Sequence, residues 1–307
     1  MDIKNIQQQL PAGLQVDAVL QQSAVFGDLF RLFDRRLDEQ APLERRLRVF
    51  EFGDVAWRAA LIKQVRGLCG INSPRLLRPL EAGVLTSGAI YLIEDVLPTS
   101  VENQLPPDGK SLPAGTAWPW IEQILDGLEE LHAAGLSHGT WRLDSLLLDT
   151  NPVDANTKAV LGDAVGGVVP LISQGGILVD GVSDYFPPEW NGVLKPPSPQ
   201  ADVYALGLLA CEMLLGRAVV RNVKAQQIAP ARVRELLLAK VGNKGLSRSR
   251  CEVLRRMLEP NPKLRPAHAR AVRDGRKPFL RLVPALAVTA GVLFISTSFW
   301  FVRYPTC

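Results

Sequence analysis

The chain has 307 residues, a formal net charge of +4 and 47% hydrophobic residues, enough for one large domain or two lobes with a sizeable core. Basic and acidic residues are mixed along most of the sequence, so nucleic-acid binding, which needs a basic face, gets no support. The four cysteines are isolated and form no C-x-x-C or Cys/His pair, which argues against a metal or redox site and favours buried thiols in a reducing compartment.

The first third of the chain has the pattern of strands around one helix. Residues 1–15 lack the apolar core of a secretory signal, and we expect a flexible lead there. Apolar clusters predict short strands at Val25-Phe26, at 29–33 and at 47–50, with a polar, turn-rich stretch between the last two. Residues 55–71 carry apolar side chains at spacings of three and four, which predicts an amphipathic helix with Trp57, Leu61, Val65 and Leu68 on one face. A strand over residues 90–95 follows.

The middle of the chain has the pattern of helices with short apolar strands between them. Residues 104–115 are rich in Pro, Gly and Asp and are predicted to form a surface loop. Residues 118–134 are predicted to form an amphipathic helix. The short apolar runs at 146–148 and 159–161 are expected to be strands, and the glycine-rich stretch after Asp163 is expected to be mobile.

The C-terminal segment differs from the rest in composition. Residues 282–302 contain no charged side chain, and their length of about 21 residues matches the roughly 20 that a bilayer-spanning helix needs. Trp300 and Phe301 lie near its far end, where aromatic side chains favour the membrane interface. Four basic residues fall within the juxtamembrane stretch 273–281, whereas only Arg303 follows in the short tail 303–307. The positive-inside rule therefore predicts a single-pass protein with its bulk in the cytoplasm and its C-terminus outside.

Several motifs occur in a fixed order along the second half of the chain. His138 is followed by the apolar run 146–148, by Asp163 after a second apolar run, by Tyr185-Phe186-Pro187-Pro188-Glu189, by ADVYALG at 201–207 and by LRRMLEPNPKLRP at 254–266. This order resembles that of the protein kinase family, with its H-R-D loop, D-F-G, A-P-E and late R-P motifs. The resemblance covers about residues 16–272. It implies a two-lobed α+β fold, with a small β-rich lobe over 16–97 and a helical lobe over 98–272.

The residues that carry phosphotransfer in that family are mostly replaced. Thr140 stands at the place of the catalytic carboxylate, and Ser145 stands at the place of the magnesium-binding Asn. Gln64 falls where the family has the Glu of its Lys–Glu ion pair, and of the three glycines over the phosphates only Gly27 is kept. Because a threonine hydroxyl neither accepts a proton near neutral pH nor carries negative charge, phosphotransfer is expected to be weak or absent.

Other positions that match the kinase pattern leave the binding of ATP and magnesium open. Arg48 falls on the phosphate-binding lysine, and Arg46 falls on the small residue over the adenine ring. The strand entering the hinge carries Ile93 at the gatekeeper place and Glu94 after it. If ATP and magnesium bind, the resemblance implies contacts at Gly27, Arg48, Glu94 and Asp163, with Asp163 as the magnesium ligand. Arg142 matches the catalytic-loop lysine, and Asp144 is an alternative acid for a shifted loop.

Four further residues match the framework of the family. The resemblance implies that His138 packs inside the lobe, that Asp202 holds the backbone of the catalytic loop, and that Glu189 and Arg265 form a buried ion pair.

Together these observations favour a membrane-anchored pseudokinase that acts as a protein-binding, scaffolding or regulatory module in signalling, with a partner that is itself membrane-associated. Two alternatives stay open: a divergent, active Ser/Thr kinase and a switch that binds ATP without turnover.

Overall fold

The computed structural model describes residues 2–22, 27–51, 55–106, 110–164, 183–190, 197–226 and 228–274. Several expectations fall outside these residues: the strand at 25–26, Ala24 of the glycine hairpin, the apolar face of Trp57, most of the glycine-rich stretch after Asp163, and everything from residue 275 on. No helix within the described ranges is long and apolar enough to cross a bilayer. The predicted span at 282–302 and its flanks lie beyond them.

The N-terminal lobe is built on one antiparallel sheet of five strands in the order β1-β2-β3-β5-β4. The strands are β1 (Leu14–Gln21), β2 (Asp28–Asp34), β3 (Leu43–Phe50), β4 (Glu81–Val84) and β5 (Ile90–Asp95). Side chains alternate between the two faces of a strand, and on β3 this puts Leu47 and Val49 in an apolar cluster on the outer face. Arg46 and Arg48 are therefore directed to the opposite face, towards the second lobe.

The first residues of the chain are part of this lobe. The short helix α1 (Ile3–Gln7) precedes β1, and Ile6 is completely buried among the apolar side chains of the outer face. The Gln7 amide donates to the carbonyl of Leu14 at 2.7 Å and accepts from the amide of Val16 at 2.7 Å. The prediction of a flexible lead over residues 1–15 is therefore wrong, because one buried isoleucine and two backbone hydrogen bonds tie this helix to the sheet.

The helix α2 (Val55–Cys69) packs against both the sheet and the second lobe. Leu61, Val65 and Leu68 are buried, as their spacing predicts, and they join a cluster that also contains Phe50 and Leu92 from the inner face of the sheet. The same cluster continues into the second lobe, so Phe50 and Leu92 lie in a core that both lobes share.

The second lobe is helical around a small sheet of β6 (Thr99–Ser100), β7 (Leu146–Leu148) and β8 (Ala159–Leu161). Its helices are α3 (Val101–Gln104), α4 (Ala114–Ala133), α5 (Pro199–Leu215), α6 (Arg217–Lys224), α7 (Pro230–Gly242), α8 (Arg248–Met257) and α9 (Ala269–Asp274). Every residue of α5 from Ala201 to Leu215 is buried, as expected for a helix that is apolar nearly all round and lies at the centre of a lobe. The α+β architecture implied by the resemblance is thus present.

Candidate active site

The loop between α4 and β7 is held by one buried carboxylate. Asp202, in the first turn of α5, accepts hydrogen bonds from the backbone amides of His138 and Gly139, both at 2.8 Å, and from the Trp141 indole at 2.8 Å. It also contacts the His132 imidazole at 3.0 Å. Burial would raise the pKa of Asp202, but the interactions with the His132 imidazole and the Trp141 indole outweigh it and lower the pKa. Asp202 therefore stays ionised and fixes the loop backbone, as the resemblance implies.

His138 supports the same loop from inside. Its side chain is fully buried, its ring lies 4.3 Å from that of Trp141, and its Nε2 is 2.7 Å from the Gly162 carbonyl oxygen. Burial lowers the pKa of His138, so the ring is neutral and Nε2 donates to that carbonyl. This geometry agrees with the packing role expected from the sequence.

The polar side chains of the loop do not form a catalytic acid–base group. Thr140 is fully buried, and its hydroxyl oxygen has no hydrogen-bond partner among the described residues. Arg142 and Asp144 pair with each other through two contacts, one of which joins Arg142 Nε to Asp144 Oδ1 at 2.8 Å. Asp144 therefore does not move into the place that Thr140 occupies in the sequence.

Asp163 lies at the end of β8 in the left-handed region, with φ of 54°. Its Oδ1 accepts from Arg48, and its Oδ2 accepts from the Ser145 hydroxyl at 3.0 Å. Arg46 Nη2 is 3.8 Å from Oδ1. Burial would raise the pKa of Asp163, but the two guanidinium charges and the serine hydroxyl outweigh it, so the pKa is lowered. Asp163 is thus an ionised carboxylate with both oxygens already engaged.

The register between β3 and β5 places an acid opposite the first two of the three arginines on β3. Arg45 is paired with Asp95 and Arg46 with Glu94, while Arg48 is paired with Leu92. Glu94 is 1% exposed and lies 3.2 Å from Arg46 Nη2 and 3.6 Å from Arg48 Nε. Burial would lower the pKa of Arg48, but Asp163 and Glu94 outweigh it, so the pKa is raised and the guanidinium stays charged.

This register corrects the expectation for Ile93. Ile93 lies opposite Leu47 and is buried with it on the outer face of the sheet. The side chain that faces the cleft at this point of β5 is Glu94, because residues directly opposite on neighbouring strands share a face and Arg46 is opposite Glu94. The gatekeeper place is therefore occupied by a charged residue that is already paired.

Gln64 makes contacts that a glutamate cannot make. Its amide nitrogen donates to the carbonyl of Ser137 at 3.0 Å and to the carbonyl of Ala164 at 2.8 Å. It thereby connects α2 both to the loop before His138 and to the residue after Asp163. The Lys–Glu ion pair of the resemblance is replaced here by two neutral hydrogen bonds.

Gly27 is required by packing. It has φ of 75°, and a Cβ there would lie 2.8 Å from the Val49 carbonyl oxygen and 3.0 Å from the Phe50 ring. Only glycine tolerates both the backbone conformation and this close approach. Gln22 occupies one place of a missing glycine, at the end of the described part of this hairpin.

The framework ion pair is formed as predicted. Arg265 Nη1 and Nη2 donate to the two carboxylate oxygens of Glu189 at 2.8 and 2.9 Å. The side chain of Arg265 is completely buried, and its guanidinium lies 4.7 Å from the centre of the Tyr204 ring. This two-point contact joins the segment around Glu189 to the loop between α8 and α9.

Residues 68–275 match the family model described as "Protein kinase domain". The chain belongs to the protein kinase family. The matched region begins at the end of α2, so the hairpin with Gly27 and the strand with Arg46 and Arg48, where the kinase pattern is weakest, precede it.

Three curated relatives of this kinase domain come from bacteria. A protein described as "Serine/threonine-protein kinases drp72" from Corynebacterium efficiens is 29% identical over 144 residues, covering 47% of this chain and 27% of the relative. Two kinases of Myxococcus xanthus match as well. The kinase pkn2 is 24% identical over 159 residues, which cover 50% of this chain and 19% of the relative. The kinase Pkn1 is 30% identical over 112 residues, which cover 36% of this chain and 16% of the relative. The chain thus spans less than a third of the length of each of these relatives.

Membership of the family implies the use of ATP and magnesium in general, yet the donors at this kinase site do not fit a magnesium ion. A magnesium ion needs several oxygen ligands in octahedral geometry. The guanidinium that donates to Asp163 Oδ1 places positive charge where the ion would bind, and Ser145, at the place of the second ligand, is a neutral hydroxyl that donates to Asp163 Oδ2. Among the described residues no group of three or more His, Cys, Asp or Glu side chains is arranged to hold a metal.

The sequence identified most members of the site but missed their connections. Neither the acid facing Arg46 and Arg48 nor the role of His132 was predicted. The available signals were Arg46 and Arg48, two residues apart on one strand, and the adjacent acids Glu94 and Asp95 on another. They become informative only when the two strands are known to be neighbours in a particular register.

Proposed function

We propose that this protein kinase domain is a pseudokinase that acts as a binding or regulatory module in signalling. The observation that carries the proposal is the closure of Asp163, whose carboxylate is held by Arg48 and Ser145. In this state the site offers no open carboxylate to a magnesium–nucleotide complex, and Thr140 supplies no base for an acceptor hydroxyl.

The charge balance of the cleft supports the same proposal. Arg46, Arg48, Glu94 and Asp163 form a buried network of two positive and two negative side chains. A triphosphate would have to replace carboxylates as the partner of both arginines, which would leave the displaced acids buried without partners. Breaking a buried pair in this way costs several kcal/mol, so the folded domain is expected to disfavour nucleotide.

We further propose that residues 282–302 anchor the protein in a membrane, with the kinase domain on the cytoplasmic side and residues 303–307 outside. The length and lack of charge of that segment, and the excess of basic residues before it, support this topology. The partner is proposed to be a protein at the same membrane, since the anchor confines the kinase domain to that membrane.

An active Ser/Thr kinase is the second candidate, together with an ATP-binding switch, and the names of the bacterial relatives favour it. It requires Arg48 to leave Asp163 and turn to the phosphates when nucleotide enters. It also requires Asp144 or Arg142 to take part in the reaction after their mutual pairing is broken.

The experiment measures ATP binding and phosphate transfer on the full chain in a mild detergent. Thermal unfolding is followed with and without ATP and magnesium for the wild type, for Asp163→Asn and for Asp149→Asn, a control in the same lobe. A ligand at a hundred times its dissociation constant would stabilise by about 2.7 kcal/mol. The pseudokinase proposal expects no shift in any of the three proteins and no labelled phosphate on the chain or on generic substrates. A magnesium-dependent rise in the melting temperature that only Asp163→Asn abolishes would refute the pseudokinase proposal and favour the switch. Phosphate transfer in addition to that rise would favour the active kinase.

A further inference from the structure

The charge of this protein is divided unevenly along the chain. Residues 228–274 contain 12 Lys or Arg against 4 Asp or Glu, and residues 275–307 contain 4 basic and no acidic residues. The preceding residues 1–227 contain 19 basic and 27 acidic residues and are net negative. The mild net charge of the whole chain therefore conceals a strongly basic C-terminal part, and such asymmetry indicates an acidic partner surface.

The structure brings part of this charge together at one end of the helical lobe. Lys240 lies in the last turn of α7 and Lys244 two residues after its end, and both are exposed. Lys244 Nζ donates to the Ser111 hydroxyl at 3.3 Å, which places it beside the start of α4. Arg248 begins α8 and is exposed as well. We call this end of the lobe, with Lys240, Lys244, Arg248, Arg250 and Arg273, the basic pole.

Two contacts extend the basic pole to the last helix. The Arg250 guanidinium lies 5.4 Å from the centre of the Trp118 ring, in the second turn of α4. Arg273, in α9, donates to the Glu122 carbonyl at 2.7 Å, one turn further along α4. These contacts place Arg250 beside the second turn of α4 and Arg273 beside the middle of the same helix.

Three acidic side chains near the basic pole already have partners. Glu122 accepts from the Trp118 indole at 2.8 Å, Asp126 pairs with Arg273, and Glu252 pairs with Arg255. By contrast, Lys240, Lys244 and Arg248 are exposed to solvent. The pole thus presents positive charge to its surroundings.

The described fold ends at Asp274, beside this pole. In the sequence Arg276, Lys277 and Arg281 come next, followed by the uncharged stretch 282–302. We propose that the basic pole docks on the anionic lipid headgroups of the membrane that contains this stretch. The inference rests on the membrane anchor of the proposed function. The pole would then point the helical lobe at the bilayer and hold the N-terminal sheet away from it.

A membrane explains the location of the charge better than a nucleic acid does. The basic residues Arg273, Arg276, Lys277 and Arg281 directly precede an uncharged, membrane-length segment, an arrangement typical of binding to anionic lipids, and the pole adds further positive charge at the same end of the fold. Each Lys or Arg close to an anionic leaflet contributes about a factor of five to binding. Three such residues therefore change the docking equilibrium about a hundredfold.

The test uses the full chain in nanodiscs of phosphatidylcholine alone or with about 30% phosphatidylglycerol. The variant Lys240→Gln/Lys244→Gln/Arg248→Gln removes three charges from the pole. The matched control Lys63→Gln/Lys158→Gln/Arg66→Gln removes two lysines and one arginine from exposed positions elsewhere. Amide hydrogen exchange over residues 242–250 is compared between the two lipids for each protein. Flotation with phosphatidylcholine vesicles after a carbonate wash tests the anchor separately.

Docking predicts that phosphatidylglycerol slows exchange over residues 242–250 several-fold in the wild type and in the control, and that 0.5 M NaCl or the pole variant removes the effect. Equal exchange in both lipids would overturn the inference, even if flotation supports the anchor. If flotation fails, binding of the full chain to phosphatidylglycerol vesicles still tests the pole by itself. Binding of duplex DNA or RNA that the pole variant loses, without any lipid effect, would also overturn it in favour of a nucleic-acid surface.

Discussion

Removal of one charge from Asp163 should destabilise the domain measurably. In Asp163→Asn the side chain keeps its shape and can still accept from Ser145, but Arg48 loses its closest carboxylate. Arg48 is 3% exposed and Asp163 15% exposed, so water cannot readily replace the lost partner. Removing one partner of a buried pair costs 3–5 kcal/mol, and because Glu94 remains 3.6 Å from Arg48 we expect about 3 kcal/mol. For a domain of this size that lowers the melting temperature by roughly 6–12 °C.

The assay is thermal unfolding of the full chain in a mild detergent, followed by tryptophan fluorescence. Asp17→Asn is the matched control, because it removes an aspartate from an Arg–Asp pair, Arg31–Asp17, that is exposed at the surface. Such surface pairs contribute about 1 kcal/mol or less. If Asp163→Asn lowers the melting temperature no more than Asp17→Asn does, the reasoning is refuted, because the Asp163 carboxylate then does not neutralise a buried guanidinium.

The pH dependence of the stability difference between the wild type and Asp163→Asn provides a second check. The pKa of Asp163 is lowered in the folded state, so its contribution is fully present above the unfolded pKa of about 3.9 and is lost as the pH falls towards the folded value. The difference between wild type and Asp163→Asn should therefore be the same at pH 7 and pH 5 and should shrink below about pH 4. A difference that already narrows between pH 7 and pH 5 would contradict the lowered pKa.

Three further predictions concern the framework around the site. Gln64→Glu should lower stability by roughly 1–3 kcal/mol, because a carboxylate cannot donate to the two carbonyls that the amide serves; a urea-unfolding midpoint equal to or above wild type would instead indicate a new ion pair. Arg265→Lys should cost about 3 kcal/mol, since lysine cannot reproduce the buried two-point contact, whereas Arg255→Lys, at an exposed two-point pair, should cost about 1 kcal/mol or less in the same melts. His138 has a lowered pKa, so its contribution is present above the unfolded pKa of about 6.5 and is lost as the pH falls below it. The urea-unfolding midpoint of the wild type should fall between pH 7.5 and pH 5.5, and that of His138→Gln should fall less. The same pH dependence of the midpoint in both proteins would exclude a buried neutral ring.

Local patterns in the sequence were sufficient for much of the fold. The spacing of Leu61, Val65 and Leu68 predicted α2, and these residues are buried as a helix of period 3.6 requires. The order of the kinase motifs predicted the roles of Asp202, Glu189 and Arg265, because each role depends on a residue type at a fixed place in a shared framework. The helix α1 was missed, since its five residues bury only Ile6 completely and carry no periodic signal.

The state of the site was decided by contacts between distant parts of the chain. The sequence by itself determined which groups are present: Thr140 and Gln64 in place of acids, and arginines in place of a lysine. It could not determine that Arg48 meets Asp163, since the two are 115 positions apart, or that Glu94 instead of Ile93 faces Arg46. The side-chain period of a strand is two, so a register shift of one residue exchanges its two faces. Only the tertiary structure fixes that register, and with it the paired charges that close the cleft.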